Sequence, residues 1–142
     1  MGKVMQLIKL RNSIDVARAN EGEVLSTAIR ALEIEALVDT GATMLVLPAD
    51  VVATLGVPIQ GTRKVRYANG ELAERPWVGH IEIEILGRKT VCTALVEKAG
   101  TTALIGQIPL EELDFLVDPK SRELRVNPAS PDLPMIDVLA AA

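Results

Sequence analysis

The chain has 142 residues, a formal net charge of −4 and a hydrophobic content of 49%, which is enough for the core of one domain and argues against disorder. Its aromatic residues are limited to Tyr67, Trp77 and Phe115, which argues against an RNA-binding sheet that stacks bases on aromatic rings. No basic cluster is denser than the three cations within residues 63–66, so the sequence predicts no nucleic-acid partner.

One cysteine and one histidine set limits on covalent and metal chemistry. Cys92 excludes a disulfide within the chain, and Cys92 with His80 cannot form a His/Cys metal site within a subunit. The N-terminal segment, residues 1–8, is followed by the charged Lys9. It lacks the apolar region and the cleavage site of a signal peptide. No apolar run approaches the roughly 20 residues that span a bilayer. We therefore expect a soluble cytoplasmic protein with no metal, no organic cofactor and no membrane partner.

The first part of the chain predicts an N-terminal hairpin extension over residues 1–30. Residues 4–10 are apolar with scattered charge, and residues 12–19 alternate loosely. The segment 20–23, Asn-Glu-Gly-Glu, is a turn signal, so residues 24–31 are expected to form the returning strand.

The next segments predict a buried strand, a polar interruption and a short helix. Residues 31–38 first alternate apolar and acidic side chains and then become continuously apolar, which is typical of a strand that passes into the core. Residues 39–43 interrupt this pattern, and the apolar stretch 44–47 follows. The segment Pro48–Leu55 predicts a short helix that Gly56 can terminate.

Asn69-Gly70 predicts a β-hairpin between residues 63–68 and 71–78, with a type I′ turn in which both central residues take positive φ. The remaining predicted elements are strands at 80–86, 90–96, 116–119 and 121–126, a short apolar run at 104–106, and a helical turn at 109–114. The Pro-rich tail 127–142 is expected to be irregular. The whole pattern predicts a single all-β domain over residues 1–142, with one or two short helices, closed as a sandwich or barrel.

Asp39 stands out because it lies between two apolar segments, where packing does not explain a carboxylate. Two interpretations are open from the residues alone. Asp39 is either a turn residue that hydrogen-bonds its own backbone, with Gly41 providing positive φ, or a carboxylate kept for chemistry.

The segment Ala36-Leu37-Val38-Asp39-Thr40-Gly41-Ala42 resembles the retropepsin-like (retroviral-type, clan AA) aspartic peptidases and their bacterial and archaeal single-domain relatives. Further matching pieces follow in the family's order: Leu47-Pro48, Leu55-Gly56-Val57, Tyr67-Ala68-Asn69-Gly70, Ala103–Gly106 and Leu113–Pro119. The resemblance covers roughly residues 31–128. It implies a closed acid-protease-like barrel with one lobe per chain, and a strand at residues 104–106 that runs under the catalytic loop.

The resemblance also implies an aspartic endopeptidase in which two aspartates hold one water molecule. The chain contains one Asp-Thr-Gly, so the second carboxylate must come from another copy, and a homodimer that cleaves a peptide or protein substrate is expected. Asp39, Thr40 and Gly41 are the implied catalytic residues: Thr40 would bond across the dimer axis, and Gly41 would donate its N–H to a carboxylate.

The implied substrate-binding residues are Ala42 and the flap Tyr67, Ala68, Asn69 and Gly70. Taken alone, Asn69-Gly70 is better explained as an ordinary β-turn. Ala42 occupies a place where relatives often carry Ser, whose hydroxyl stabilises a charged carboxylate. We therefore expect activity at mildly acid to near-neutral pH. Tyr67 is interpreted either as an aromatic wall of the groove or as packing.

Two other functions compete with the peptidase. One is a catalytically weak or inactive dimer of the same fold that serves as a peptide-binding or regulatory module, since fold does not imply function. The other is phosphoryl transfer through an aspartyl intermediate, which would need further acidic residues near Asp39 to hold Mg²⁺, and the local sequence offers none.

Overall fold

The computed structural model describes residues 3–138, and within that range most of the chain is β-structure. The strands are β1 (Met5–Asn12), β2 (Ala31–Val38), β3 (Leu45–Pro48), β4 (Ile59–Arg66), β5 (Leu72–Ile85), β6 (Arg88–Glu97), β7 (Ala103–Ile105), β8 (Phe115–Asp118) and β9 (Glu123–Val126). The helices are α1 (Ser13–Asn20), α2 (Ala49–Leu55) and α3 (Gln107–Glu112), with one 3₁₀ turn at Ser26–Ala28. No helix of the described chain is long and apolar enough to cross a membrane.

Six strands close into a barrel in the order β1-β2-β7-β3-β6-β5. The closing pair is antiparallel and joins Lys9–Asn12 of β1 to Ile81–Glu84 of β5. Strand β4 lies outside this ring and pairs only with the first half of β5, while β8 and β9 form a separate two-stranded sheet. The predicted all-β class and closed acid-protease-like barrel are confirmed.

The barrel is filled by aliphatic side chains because each strand points alternate residues inward. The fully buried residues include Leu10, Leu45, Leu47, Ile81, Ile83, Ile85 and Ile105. Burying a Leu or Ile side chain stabilises a fold by roughly 1.5–3 kcal/mol, so this aliphatic cluster supplies most of the driving force. Phe115 is the one aromatic side chain in the buried core of the described residues.

The predicted N-terminal hairpin is wrong. Residues 13–20 form α1 instead of a strand, and Met5–Asn12 is a full barrel strand paired with both β2 and β5. The cause is capping: the Asn12 side chain accepts hydrogen bonds from the backbone N–H groups of Ile14 and Asp15, at 3.0 and 3.1 Å. An N-cap of this kind outweighs the loose alternation that suggested a strand.

The short helix after Pro48 is confirmed: α2 follows Pro48 and ends at Gly56, whose φ of 67° is left-handed. The hairpin at Asn69-Gly70 is also confirmed, but its predicted type I′ turn is wrong. The turn starts one residue earlier than predicted, because the Gly70 N–H donates to the Tyr67 carbonyl at 2.9 Å. Asn69 and Gly70 were the predicted central residues, and only Gly70 has positive φ. This three-residue loop, a type I turn followed by a left-handed glycine, is a common alternative.

The tail is irregular over its described residues, up to residue 138, and the last four residues of the predicted 127–142 segment lie outside the described range. Asp114 anchors it: its carboxylate accepts hydrogen bonds from the Ser130 hydroxyl, the Asn127 amide and the Met135 backbone N–H. These bonds hold the pKa of Asp114 below its ordinary value, and the bond from Ser130 contributes most.

Candidate active site

The Asp-Thr-Gly loop begins where the parallel pairing of β2 and β7 ends. The Asp39 N–H donates to the Ile105 carbonyl at 3.0 Å, which continues that pairing by one residue. Alternation along β2 then directs the Asp39 side chain to the same outer face as Leu37. Asp39 is half-buried, whereas Thr40 and Gly41 are exposed.

Strand β7 lies between β2 and β3, although it follows both in the sequence. The loop that joins β2 to β3 therefore crosses the end of β7, as the resemblance implied. Gly106 makes the crossing possible, because a Cβ at this position would lie 2.3 Å from the Met44 carbonyl oxygen. Two bonds fasten the crossing: the N–H groups of Gln107 and Ile108 donate to the carbonyls of Ala42 and Thr43 at 2.8 and 2.9 Å.

The Asp39 carboxylate is held by its own loop. The Gly41 N–H donates to Oδ1 at 2.9 Å, and the Ala42 N–H donates to the Asp39 carbonyl at 3.1 Å. Gly41 does not take a positive φ, so that part of the turn interpretation is wrong. Its lack of a side chain matters instead, since a Cβ would lie 3.2 Å from Oδ1. The second oxygen, Oδ2, accepts no hydrogen bond from residues 3–138 and is free for water or another carboxyl group.

An apolar outer row crosses the barrel beside this loop. Strand pairing places five side chains next to one another on one face, in the order Leu37, Leu104, Val46, Leu95 and Trp77. All five are half-buried, whereas their neighbours along the strands, such as Ala36, Leu45, Ala94 and Ala103, are buried inside. This outer row forms a half-exposed apolar wall on the face to which Asp39 points.

Sequence reasoning assigned Leu104 a supporting role only, and it missed Val46 and Leu95. Alternation marks these residues as facing opposite to the core, but it does not tell which strands are neighbours. The family resemblance could have supplied part of this signal. A strand that runs under the loop lies between β2 and β3, so its outward residue, Leu104, must lie between the outward residues of those two strands.

The hairpin arm, defined as residues 59–77, carries the predicted flap at its tip. Ala68, Asn69 and Gly70 are exposed, and Tyr67 is half-buried. The Tyr67 hydroxyl hydrogen-bonds to the Glu97 carboxylate and accepts a bond from Arg75 Nε at 3.0 Å. The bond to Glu97 raises the pKa of Tyr67 above its ordinary value. Tyr67 therefore ties the base of the tip to the end of β6.

Cys92 and His80 are the single cysteine and the single histidine of the chain. Burial, with a smaller contribution from the Glu112 carboxylate, raises the pKa of Cys92 to about 12 and keeps the thiol protonated. His80 is exposed on a bulge in the middle of β5, where its φ is 61°, instead of at the start of a strand. No group of three or more His, Cys, Asp or Glu side chains in the described chain is arranged to hold a metal ion.

An open groove of about 510 Å³ lies on the side of the barrel and is lined by Trp77, Gly79, His80, Cys92 and Ile108, among others. Asp39 does not line it. Trp77 belongs both to this groove and to the outer row.

Comparison with known proteins agrees with this geometry. The family model described as gag-polyprotein putative aspartyl protease matches residues 25–118, about two thirds of the chain, and includes the loop, the hairpin arm and β7. Among curated proteins, none matches the chain. The family match agrees with the closed barrel and with the strand that runs beneath the Asp-Thr-Gly loop. The chain therefore belongs to the retropepsin-like aspartyl protease family.

Proposed function

We propose that the protein is an aspartic endopeptidase that acts as a homodimer, with a water molecule held between the Asp39 carboxylates of two subunits. The observation that carries this proposal is the Asp39 carboxylate, which a pinned loop presents on an open face with Oδ2 free. One carboxylate takes a proton from the water, and the protonated partner polarises the scissile carbonyl. Two carboxylates about 3 Å apart cannot both ionise, so the pair shares one proton.

A second copy of the chain supplies what one chain lacks. The described chain has one Asp-Thr-Gly, and a two-fold axis beside that loop would bring two Asp39 residues together. Thr40 is exposed in the single chain, and its hydroxyl has no hydrogen-bond partner within residues 3–138. That exposure supports the role in which Thr40 bonds across the axis and keeps the two loops level.

The substrate is an extended peptide that lies along the outer row, where half-exposed Val46, Leu95 and Leu104 offer apolar contacts. The tip Tyr67, Ala68, Asn69 and Gly70 acts as the flap that excludes water, and Ala42 borders the cleft. We expect turnover at mildly acid to near-neutral pH. The cytoplasmic location remains a prediction from the sequence.

The test compares wild-type protein with Asp39→Asn on an unstructured protein mixture between pH 3 and 8. Fragments are identified by mass spectrometry, and pepstatin serves as the inhibitor control. We expect cleavage by the wild type, none by the variant, and loss of cleavage with pepstatin. Cleavage that persists in Asp39→Asn would refute the assignment of Asp39.

The same variant separates the enzyme from a peptide-binding module of the same fold. The link of Tyr67 to Glu97 and Arg75 favours this alternative, because it restrains the flap that a turnover cycle must open. A module would bind peptides equally well as wild type and as Asp39→Asn and would cleave none in either form, whereas an enzyme loses cleavage on substitution and keeps binding.

A further inference from the structure

Arg63 lies on the face of the hairpin arm that continues the apolar outer row of the barrel. It pairs directly with Arg75 across β4 and β5, and Trp77 follows Arg75 by two residues, so all three side chains share one face. Trp77 is itself opposite Leu95, which is the last aliphatic member of the outer row. The arm therefore extends the apolar wall and then adds cationic side chains to it.

The Arg63 guanidinium is held in position by two neutral neighbours. It stacks 4.5 Å from the centroid of the Trp77 ring, and its Nη1 lies 3.2 Å from the Met44 sulfur. Gly61 permits the close approach of the indole to β4, since a Cβ there would lie 2.9 Å from Trp77 Nε1. Met44 directly follows the catalytic loop and packs its backbone on Gly106, so these contacts place the cation beside that loop.

Arg63 differs from its neighbour Arg75 in charge compensation. The Arg75 guanidinium forms an ion pair with Glu97, at 2.9 Å between Nε and Oε1. Arg63 forms no ion pair with any carboxylate within residues 3–138. An indole face and a thioether fix the orientation of the guanidinium but leave its remaining hydrogen-bond donors and its charge available.

We infer that Arg63 selects substrates that place an Asp or Glu side chain at the flank of the apolar cleft. A preorganised guanidinium binds a carboxylate through two parallel hydrogen bonds and loses little side-chain entropy in doing so. The preferred peptide combines apolar residues along the outer row with one acidic residue that reaches the hairpin arm. This inference rests on the proposed function, because it assigns specificity to the same cleft.

Binding to the Asp39→Asn protein tests the inference independently of turnover. Fluorescent peptides with an apolar centre carry Glu or Gln at each flanking position in turn, and affinities are measured by polarisation at low salt. We expect the Glu peptide to bind about three- to tenfold more tightly than its Gln partner at one position. Arg63→Met should reduce that ratio to about one, Arg63→Lys should keep part of it, and Arg63→Glu should favour a Lys peptide.

Lys64→Met is the matched control, because it removes one positive charge from the same strand but from the opposite face. It should keep the Glu preference. Three results would overturn the inference. The first is an equal loss of the Glu preference in Arg63→Met and Lys64→Met, the second is no binding of any acidic peptide, and the third is a Glu preference that survives Arg63→Met.

Cleavage assays on the same peptides separate the two proposals. If wild type binds Glu peptides through Arg63 and cleaves none, the peptidase proposal fails and the inference holds. If wild type cleaves peptides through Asp39 with equal efficiency for Glu and Gln, the inference fails and the peptidase proposal holds.

Discussion

Gly106 shows at the residue scale how one missing side chain permits the site. The backbone of the Asp-Thr-Gly loop passes so closely over the end of β7 that a Cβ on Gly106 would lie 2.3 Å from the Met44 oxygen and 2.8 Å from the Ala42 oxygen. Both contacts are with backbone atoms, which cannot rotate away as a flexible side chain can. The identity of this residue is therefore decided by the loop that crosses it.

Gly106→Ala should lower the free energy of unfolding by about 3 kcal/mol, because the added methyl forces the Asp-Thr-Gly loop off β7. Urea unfolding followed by circular dichroism measures the change. Gly79→Ala is the control: a Cβ there meets only the Gln60 side chain, at 3.9 Å, and should cost less than about 1 kcal/mol. Similar costs for the two variants would contradict the crowding seen at Gly106.

Cys92 should resist alkylation in the folded protein. A pKa of about 12, raised chiefly by burial, leaves about a thousandfold less thiolate at pH 8 than the ordinary value of 9.0 would. Iodoacetamide labelling followed by mass spectrometry should therefore be slow in buffer and fast in urea. Rapid labelling of the native protein would show that the thiol is more open than its packing against the core indicates.

Helix α1 is attached to the barrel by an ion pair that makes stability depend on pH. Asp15 accepts hydrogen bonds from the backbone N–H, Nε and Nη2 of Arg30, at 2.8 to 3.0 Å. The side-chain bonds to Arg30 are the largest cause that lowers the pKa of Asp15 to about 2. A carboxyl group with a depressed pKa stabilises the fold above its unfolded pKa near 3.8 and loses that contribution as pH falls toward 2.

Asp15→Asn should therefore be less stable than wild type by about 1 to 2 kcal/mol at pH 6, after allowance for the half-exposed guanidinium. The difference should shrink between pH 4 and pH 2, because wild type then loses the same charge. Urea midpoints measured across that range test this. A difference that stays constant with pH would assign the effect to shape instead of charge.

The hairpin arm is the second element whose behaviour depends on a few side chains. Tyr67→Phe removes the hydroxyl that joins the flap to Glu97 and leaves the Arg75–Glu97 ion pair in place. Backbone amides near residues 67–71 should then exchange hydrogen about tenfold faster, because the tip loses one half-buried side-chain hydrogen bond. Exchange measured by mass spectrometry checks this, with β7 as the internal reference. Unchanged exchange at the tip would show that the backbone hairpin alone holds it.

At the scale of the whole molecule, the described chain is a closed six-stranded barrel, with β4 outside the ring and β8 and β9 in a separate sheet. Thr40 and Gly41 are exposed at one loop, and the residues of the outer row are half-buried. A symmetric partner would cover the loops and complete the cleft, which is why the proposed enzyme must be a dimer.

Sedimentation equilibrium should show a dimer at micromolar concentration. Thr40→Ala should raise the dimer dissociation constant about tenfold, which equals about 1.4 kcal/mol, while far-ultraviolet circular dichroism stays unchanged. Asp50→Ala, an exposed change on α2, is the control and should leave the constant as it is. A strict monomer at enzyme working concentrations would exclude the shared-water mechanism.

Local signals predicted well wherever neighbours along the chain decide the conformation. The helix from Pro48 to Gly56 and the hairpin at Gly70 followed from fixed φ angles and turn chemistry. The same reasoning failed at residues 12–20, where a weak alternation suggested a strand and the Asn12 cap made a helix. It also misjudged the turn type at Asn69, since local preference permits two loop geometries and the strand register selects one.

The sequence by itself determined the aliphatic all-β character, the family and the identity of Asp39 as the candidate carboxylate. These follow from composition, alternation and a motif in an ordered context. Only the tertiary structure decided how the outer row and Arg63 are arranged. Leu104, Val46 and Leu95 are far apart in sequence, and hydrogen-bonded strand pairing, which no local pattern encodes, sets them side by side. Arg63 joins them through its stacking on Trp77, which lies opposite Leu95.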